Sequence, residues 1–294
     1  AYLNEIGKIY KEQNKQHAAF MCFVESLRLK PEQPDILTFA EYLKEYAEPE
    51  SPQKLKDNGC AVSVIMPTYN RTVRIKESIQ SVLNQTFQDF ELIIINDGGA
   101  DEVRKVIDSF NSNKIKYYRL DKNCGLSTAL NEGILKANGK YIAYLDDDDI
   151  YYPEHLEVLV NFLERNPSYD FVYSNSWWCY GEIKNNRFVE NYRKLYEKRK
   201  QKFDKTLLFE WNYISTLNVL HKKNCFGKTG LFNKELSNLM DWDLWKRYAR
   251  YFKFYQLDEI TGEYRWTQNN MSVADKLGNH FFYHITKAYH QCNC

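Results

Sequence analysis

Between Val62 and Leu145 the hydrophobic pattern changes period several times. Val62-Ser-Val-Ile-Met66 is a short β-rich run, and residues 72 to 85 then follow helical spacing. Phe90-Glu-Leu-Ile-Ile-Ile95 is a nearly continuous apolar run, as a strand covered on both faces requires. A helix over 101–111, a strand over Ile115–Tyr118, a helix over 127–138 closed by Asn138-Gly139, and a strand over Tyr141–Leu145 complete the series. Strands alternating with helices of this length predict a doubly wound α/β sheet. Ligands in such sheets bind beyond the carboxyl ends of the strands. The polar clusters fall there: Pro67-Thr-Tyr-Asn70, Asn96-Asp97-Gly98-Gly99, and the four aspartates Asp146 to Asp149.

Upstream the period is purely helical. Leu3, Ile6 and Tyr10, then Ala19, Phe23 and Leu27, predict two helices that break at Asn14 and end at Pro31. A third helix is predicted over 34–47. The offsets of Ile6-Gly7, Tyr10, Ala19, Phe23 and Pro31 resemble one tetratricopeptide repeat. A single repeat cannot bury its own faces. Residues 1–47 are therefore expected to pack on the next domain, on further repeats, on a protein partner or on a second copy of the chain. Pro49, Pro52 and Asn58-Gly59 mark residues 48–60 as a linker, and 61–294 form the main domain.

Composition narrows the field. The chain has 294 residues, and 44% of them are apolar, enough for a sizeable core. Forty basic residues against thirty-nine acidic ones leave no global field to attract nucleic acid, which is not expected as a partner. Seven cysteines, an odd number without metal-knuckle spacing, read as free thiols in a reducing compartment. No apolar run approaches a membrane span. The expected location is the cytoplasm, with room for peripheral contact at the inner membrane face. The basic stretch from Lys194 to Lys205 reads by default as a solvated segment.

The aspartate run carries the clearest chemistry. Four adjacent carboxylates repel one another unless something positive binds, and they follow a buried strand rather than lying in a solvated charge run. Oxygen ligands suit a hard divalent cation, manganese or magnesium, bridging carboxylates to a diphosphate. Such a cation neutralises a diphosphate leaving group. A turn before the helix that Pro153 and Glu154 begin is the structural alternative. Asp97 on its Gly-Gly turn can accept a hydrogen bond from a base or ribose. Gly125, ahead of a helix N-terminus, can bring backbone close to an anion or simply cap the helix.

Six stretches occur together and in order: Val64 to Arg71, Ser81 to Thr86, Glu91 to Gly98, Asn123 to Ser127, Leu130 to Gly133, and Ala137 to Asp149. In this order and spacing they resemble the nucleotide-binding half of the family 2 glycosyltransferases. The resemblance implies the GT-A fold, a Rossmann-like mixed sheet flanked by helices. Residues 61–150 would then bind the nucleotide sugar and 151–294 the acceptor. The resemblance places Pro67, Tyr69, Asn70, Asp97, Gly125, Asp146, Asp147 and Asp148 around the donor. Asp146 and Asp148 are implied to be the two ends of an Asp-x-Asp motif, with Asp146 nearer the ribose and Asp148 on the metal.

The second half is similar to the family at Gly230-Leu-Phe232 and at Leu239-Met-Asp-Trp-Asp-Leu-Trp-Lys-Arg247. Asp241 falls on the family's general base, while Met240 replaces the usual glutamate. Trp245 reads as core, and Trp242 as core or as a wall of the sugar site. Leu130 stands where many relatives carry an arginine. Thr267 replaces a histidine in Tyr264-Arg-Trp-Thr267, leaving Arg265 as a candidate phosphate clamp. His280 and His284 read as ordinary surface or core residues. The implied reaction is inverting transfer of a sugar, from a UDP-sugar by family habit, to a hydroxyl of a glycan, lipid-linked or protein acceptor, in cell-surface polysaccharide or glycoprotein synthesis. A sugar-1-phosphate nucleotidyltransferase and a catalytically weak scaffold built on the helical repeat stay as alternatives.

Overall fold

The computed structural model describes residues 59–195, 202–236 and 239–267. The helical-repeat segment, all but the end of the linker, and His280 and His284 lie outside the described residues, as does the middle of the basic stretch.

Four strands and three helices alternate as the periodicity predicts. They are β1 (Cys60–Thr68), α1 (Ile75–Leu83), β2 (Phe90–Asn96), α2 (Glu102–Asp108), β3 (Ile115–Arg119), α3 (Leu126–Lys136) and β4 (Gly139–Tyr144). β1 begins at Cys60, the last residue assigned to the linker, because Cys60 pairs with Gly139 on β4. All seven residues of β2 are buried, so its apolar run does cover both faces. β1 pairs in parallel with β2 and β4, and β2 with β3, giving the spatial order 3-2-1-4. The order reverses between β1 and β4, the place where such sheets open a crevice at their carboxyl ends.

The rest of the chain extends this sheet. It comprises β5 (Ile150–Tyr151), α4 (His155–Arg165), β6 (Phe171–Lys184), β7 (Arg187–Lys194), α5 (Lys205–Glu210), β8 (Val219–Lys222), α6 (Phe226–Thr229), α7 (Met240–Tyr248) and β9 (Phe254–Thr267). β8 runs antiparallel between β4 and β6, and β9 pairs in parallel with β6. The sheet is therefore mixed.

Each face has its own core. Ile75, Ile79, Val103, Leu156 and Leu159 from α1, α2 and α4 pack against Val62, Val64, Leu92 and Ile94. Ala129 and Ile134 from α3, with Trp242 and Trp245 from α7, pack against Ile65, Ile93 and Ile142 on the other side. Alternation along the strands sorts the side chains between the two faces. α3 lies very close to β1: a Cβ on Gly133 would sit 2.5 Å from Ile65 Cγ2.

Candidate active site

The carboxyl ends of β1, β2 and β4 converge, and short polar contacts tie them together. Thr68 carbonyl accepts from the Asp97 N–H at 2.9 Å. Asn70 adopts a left-handed backbone, φ 55°, and its side-chain oxygen accepts from Ala100 N–H at 2.8 Å. Asp97 is buried, and its two carboxylate oxygens accept the backbone N–H groups of Cys124 at 2.7 Å and Gly125 at 2.9 Å. Asp97 thus anchors the loop that enters α3. The loop passes so close that a Cβ on Gly98 (φ 74°) would lie 2.3 Å from the Lys122 carbonyl carbon. Pro67 is buried within β1, while Tyr69 is 46% exposed beside it.

The aspartates occupy the end of β4. Oxygens of Asp146, Asp148 and Asp149 all lie within 4.8 Å of one another. Burial, reinforced by the charges of Asp148 and Asp147, pushes Asp146 up to about 7. Asp147 is also pushed to about 7, again by burial first and then by Asp148. Thr68 donates to Asp147 at 2.6 Å. Asp149, raised well above its ordinary value by burial, accepts the Arg265 backbone N–H at 2.8 Å. Negative charge is thus crowded and poorly solvated, a condition that favours an incoming cation. Two arginines already respond to it. Arg71 donates to Asp147 at 3.2 Å and also pairs with Asp148, and Arg74 pairs with Asp148 at 2.7 Å. The donor set fits a hard divalent cation, with Asp149 joining Asp146 and Asp148 as a third candidate ligand.

The second half brings Asp241 to this end of the sheet. α7 begins at Met240 after a left-handed Leu239, φ 55°. Asp241 is close enough that its charge contributes to the raised pKa of Asp146. Asn212 donates to Asp241 Oδ2 at 3.1 Å and Thr216 to the same oxygen at 3.4 Å, which fixes the carboxylate's rotation. Two residues of α3 hold the segment leading to α7. Asn131 donates to the Phe232 carbonyl at 2.8 Å and accepts its N–H at 2.9 Å, while Ser127 donates to the Leu236 carbonyl at 3.1 Å.

Other candidates have structural positions. Trp242 does not line a sugar site: it is fully buried, and its indole N–H donates to the Leu208 carbonyl at 2.6 Å. Trp245 is core, as its spacing indicates. Asp243 is buried and ion-paired with Arg247 at 2.7 Å. Leu130 is a core residue of α3. The Arg265 guanidinium is engaged by Glu77 at 2.5 Å and Glu263 at 3.0 Å, so its backbone rather than its charge reaches the aspartates. Arg74, Asn212 and Thr216 carry no recognisable motif. Arg71 lies inside one, but only the fold shows which carboxylates it meets.

The glycosyl transferase family 2 model matches residues 63–223. The uncharacterized glycosyltransferase RP339 of Rickettsia prowazekii is 32% identical over 202 residues, covering 68% of this chain and 60% of that protein. Across the matched Rickettsia proteins the chain spans between 19% and 62% of their length. The fold is similar to that of S. aureus TarS 1-349 in complex with UDP-GlcNAc. The TM-score is 0.57 at 21% identity, over 70% of this chain and 58% of that one. It is also similar to mannosyltransferase PcManGT from Pyrobaculum calidifontis in complex with GDP-Man and Mn2+. There the TM-score is 0.55 at 14% identity, over 83% and 68% of the two chains. At these identities the likeness to the solved structures is one of fold.

Proposed function

The chain belongs to the family 2 glycosyltransferases, and from that premise we propose that it transfers a sugar, with inversion, from a nucleoside-diphosphate sugar to an acceptor hydroxyl. The observation that carries the reading is the convergence of Asp146, Asp148 and Asp149, whose oxygens lie within 4.8 Å of one another at the end of β4. Asp241, far away in sequence, is folded near enough for its charge to add to that crowding at Asp146. A UDP-sugar is the proposed donor. Tyr69, beside the turn that Asp97 organises, is proposed to face the nucleoside, with Pro67 shaping the wall beneath it. Asp146, Asp148 and Asp149 would hold a manganese or magnesium ion. When bound, that ion supplies charge neutralisation for the diphosphate.

In the reaction the bond between the anomeric carbon and the diphosphate oxygen breaks, and the diphosphate leaves with the electron pair. A bond from the acceptor oxygen to the anomeric carbon forms on the opposite face. Asp241 takes the acceptor's proton as this occurs. Asn212 and Thr216, by holding Oδ2, keep the carboxylate oriented for that role. Asp97, through the Cys124 and Gly125 amides, holds the backbone that borders the crevice. General-base assistance accounts for roughly 10²–10⁴ in rate, and positioning supplies much of the rest.

The deciding experiment is Asp241→Asn, nearly isosteric and a poor base. Transfer should fall by at least about a hundredfold. Nucleoside-diphosphate affinity, read by calorimetry, should change by less than about tenfold. Near-normal transfer would remove Asp241 from this role. Product analysis addresses the alternative: a sugar-1-phosphate nucleotidyltransferase releases pyrophosphate, a glycosyltransferase a nucleoside diphosphate.

A further inference from the structure

Two arginines share one carboxylate oxygen of the aspartate cluster, and they are not equivalent. Arg74, immediately before α1, pairs with Asp148 Oδ2 at 2.7 Å and is nearly buried. Arg71 reaches the same oxygen and also Asp147 at 3.2 Å, yet its side chain stays exposed. Both of its contacts use Nη1, and among the described residues its Nε and Nη2 have no hydrogen-bond partner. A guanidinium carries five N–H donors in a planar fork, so the larger part of this one is unused. The backbone beneath it is fixed. Asn70 adopts the left-handed conformation, φ 55°, and its side-chain oxygen accepts the Ala100 N–H at 2.8 Å, which ties the turn to the loop after β2. Other candidate positions for a phosphate contact carry no available charge. Leu130 is core, Thr267 is buried and uncharged, and the Arg265 guanidinium is held between Glu77 and Glu263.

We propose that Arg71 is the diphosphate clamp of the donor site, turning from the aspartates onto the phosphates when a divalent cation takes Asp148, an inference that rests on the glycosyltransferase reading. Charge balance drives the exchange. Asp148 keeps Arg74 as a fixed partner, so Arg71 is the arginine that an arriving cation displaces more readily. The displaced guanidinium then meets the anion that shares the cation. The reach suits this: a phosphate oxygen on the same cation lies no more than about 4 Å from the Asp148 carboxylate, two metal–oxygen bond lengths. Arg71 already touches that carboxylate. A guanidinium binds phosphate through two parallel, charge-assisted N–H bonds, whereas lysine offers a point charge without the fork. An arginine serving only to neutralise these aspartates would be enclosed as Arg74 is. Arg71 instead keeps unused donors at an exposed position.

The test is calorimetry on the full chain as wild type, Arg71→Met and Arg71→Lys. UDP, or GDP where wild type prefers it, is titrated at saturating manganese, and manganese is titrated alone. Arg71→Met should bind the diphosphate at least about tenfold more weakly, through loss of a charge-assisted bidentate contact, while binding the ion alone more tightly. Arg71→Lys should fall between Arg71→Met and wild type for the diphosphate. The matching nucleoside monophosphate, which lacks the second phosphate, should lose less. Arg104→Met removes an exposed arginine paired with Asp108 on α2 and should bind both ligands as wild type. The opposite signs distinguish a clamp from a damaged site. If diphosphate and manganese affinities fall together in Arg71→Met, the arginine holds the aspartates in shape and the clamp is overturned. Unchanged or tighter diphosphate binding overturns it too. So does an equal loss for monophosphate and diphosphate, since the arginine would then serve the nucleoside. A wild type that binds neither UDP nor GDP with manganese ends the donor reading and the clamp with it, whereas wild-type binding that ignores Arg71 counts against the clamp alone.

Discussion

Asp148 meets two demands on one carboxylate. Its Oδ2 is held by both Arg71 and Arg74, yet the same group is the proposed anchor of a divalent cation. Arg74 is only 11% exposed along its side chain and is fixed in place, whereas Arg71 is 43% exposed and can swing away. Arg71 and the cation therefore compete for the same charge. In Arg71→Met, manganese affinity without nucleotide should rise by about three- to tenfold, up to about 1.4 kcal/mol. In Asp148→Ala it should be lost. Calorimetry of the ion alone checks both, and an unchanged affinity in Arg71→Met would show that the arginine does not guard the site. Asp243, two residues beyond Asp241 on the same helix, is no neutral control for it. Asp243→Asn disrupts a buried ion pair with Arg247 and should lower stability, commonly by about 3–5 kcal/mol when one partner is removed, before it says anything about proton transfer.

The element that does most to assemble the site is α3. Gly125 starts it under Asp97, Ser127 and Asn131 grip the segment before α7, and Gly133 sets its distance from β1. A side chain at 133 meets Ile65, a β-branched residue locked in the sheet. Gly133→Val should cost about 1–3 kcal/mol through overpacking. Urea unfolding is the measurement, and a neutral result would mean that α3 has slack against the sheet. Asn131→Asp removes the side-chain donor to the Phe232 carbonyl, so it should lower transfer more than it lowers nucleotide affinity. That split distinguishes a loosened acceptor half from general damage. The Leu130-Asn-Glu-Gly133 motif is legible in the sequence. Its work in clamping Phe232 is not, because the partner lies a hundred residues away.

Across the whole molecule, two buried histidines tie the sheet to its helices. Burial lowers His155 to about 3 and His221 to about 4 from an ordinary 6.5. His221 lies among Phe171, Phe226, Trp245 and Tyr248. Its Nδ1 sits 3.0 Å from the Lys222 carbonyl, which can only accept, so Nδ1 carries the proton and Nε2 accepts from the Tyr144 hydroxyl at 2.8 Å. Between pH 6.5 and about 4 the unfolded chain binds a proton at this residue that the folded chain refuses. Stability from His221 is therefore present above 6.5 and is lost as the pH falls toward 4, at up to about 1.4 kcal/mol per unit. Asp146 and Asp147, raised to about 7, act in the opposite sense, so the informative quantity is a difference. His221→Phe should flatten the acid slope of unfolding free energy relative to wild type by that amount. Equal slopes would mean that His221 titrates in the folded protein.

The alternation of β1 to β4 with α1 to α3 is legible in the residues alone, because burial on one or both faces dictates a period of its own. So is the carboxylate cluster that closes β4, since adjacent like charges after a buried strand are visible without coordinates. The long β6–β7 hairpin and the parallel pairing of β6 with β9 were not legible. Their strands are half-exposed and take their pattern from neighbours distant in the chain. It took the folded chain to show that Arg71 and Arg74 neutralise Asp148, that Asp97 serves the Cys124 and Gly125 amides, and that Trp242 is core. The same packing lets the charge of Asp241 act on Asp146. Local periodicity reports which face of an element is buried, whereas the partner of a charge or an indole is set by how separate elements pack across the crevice.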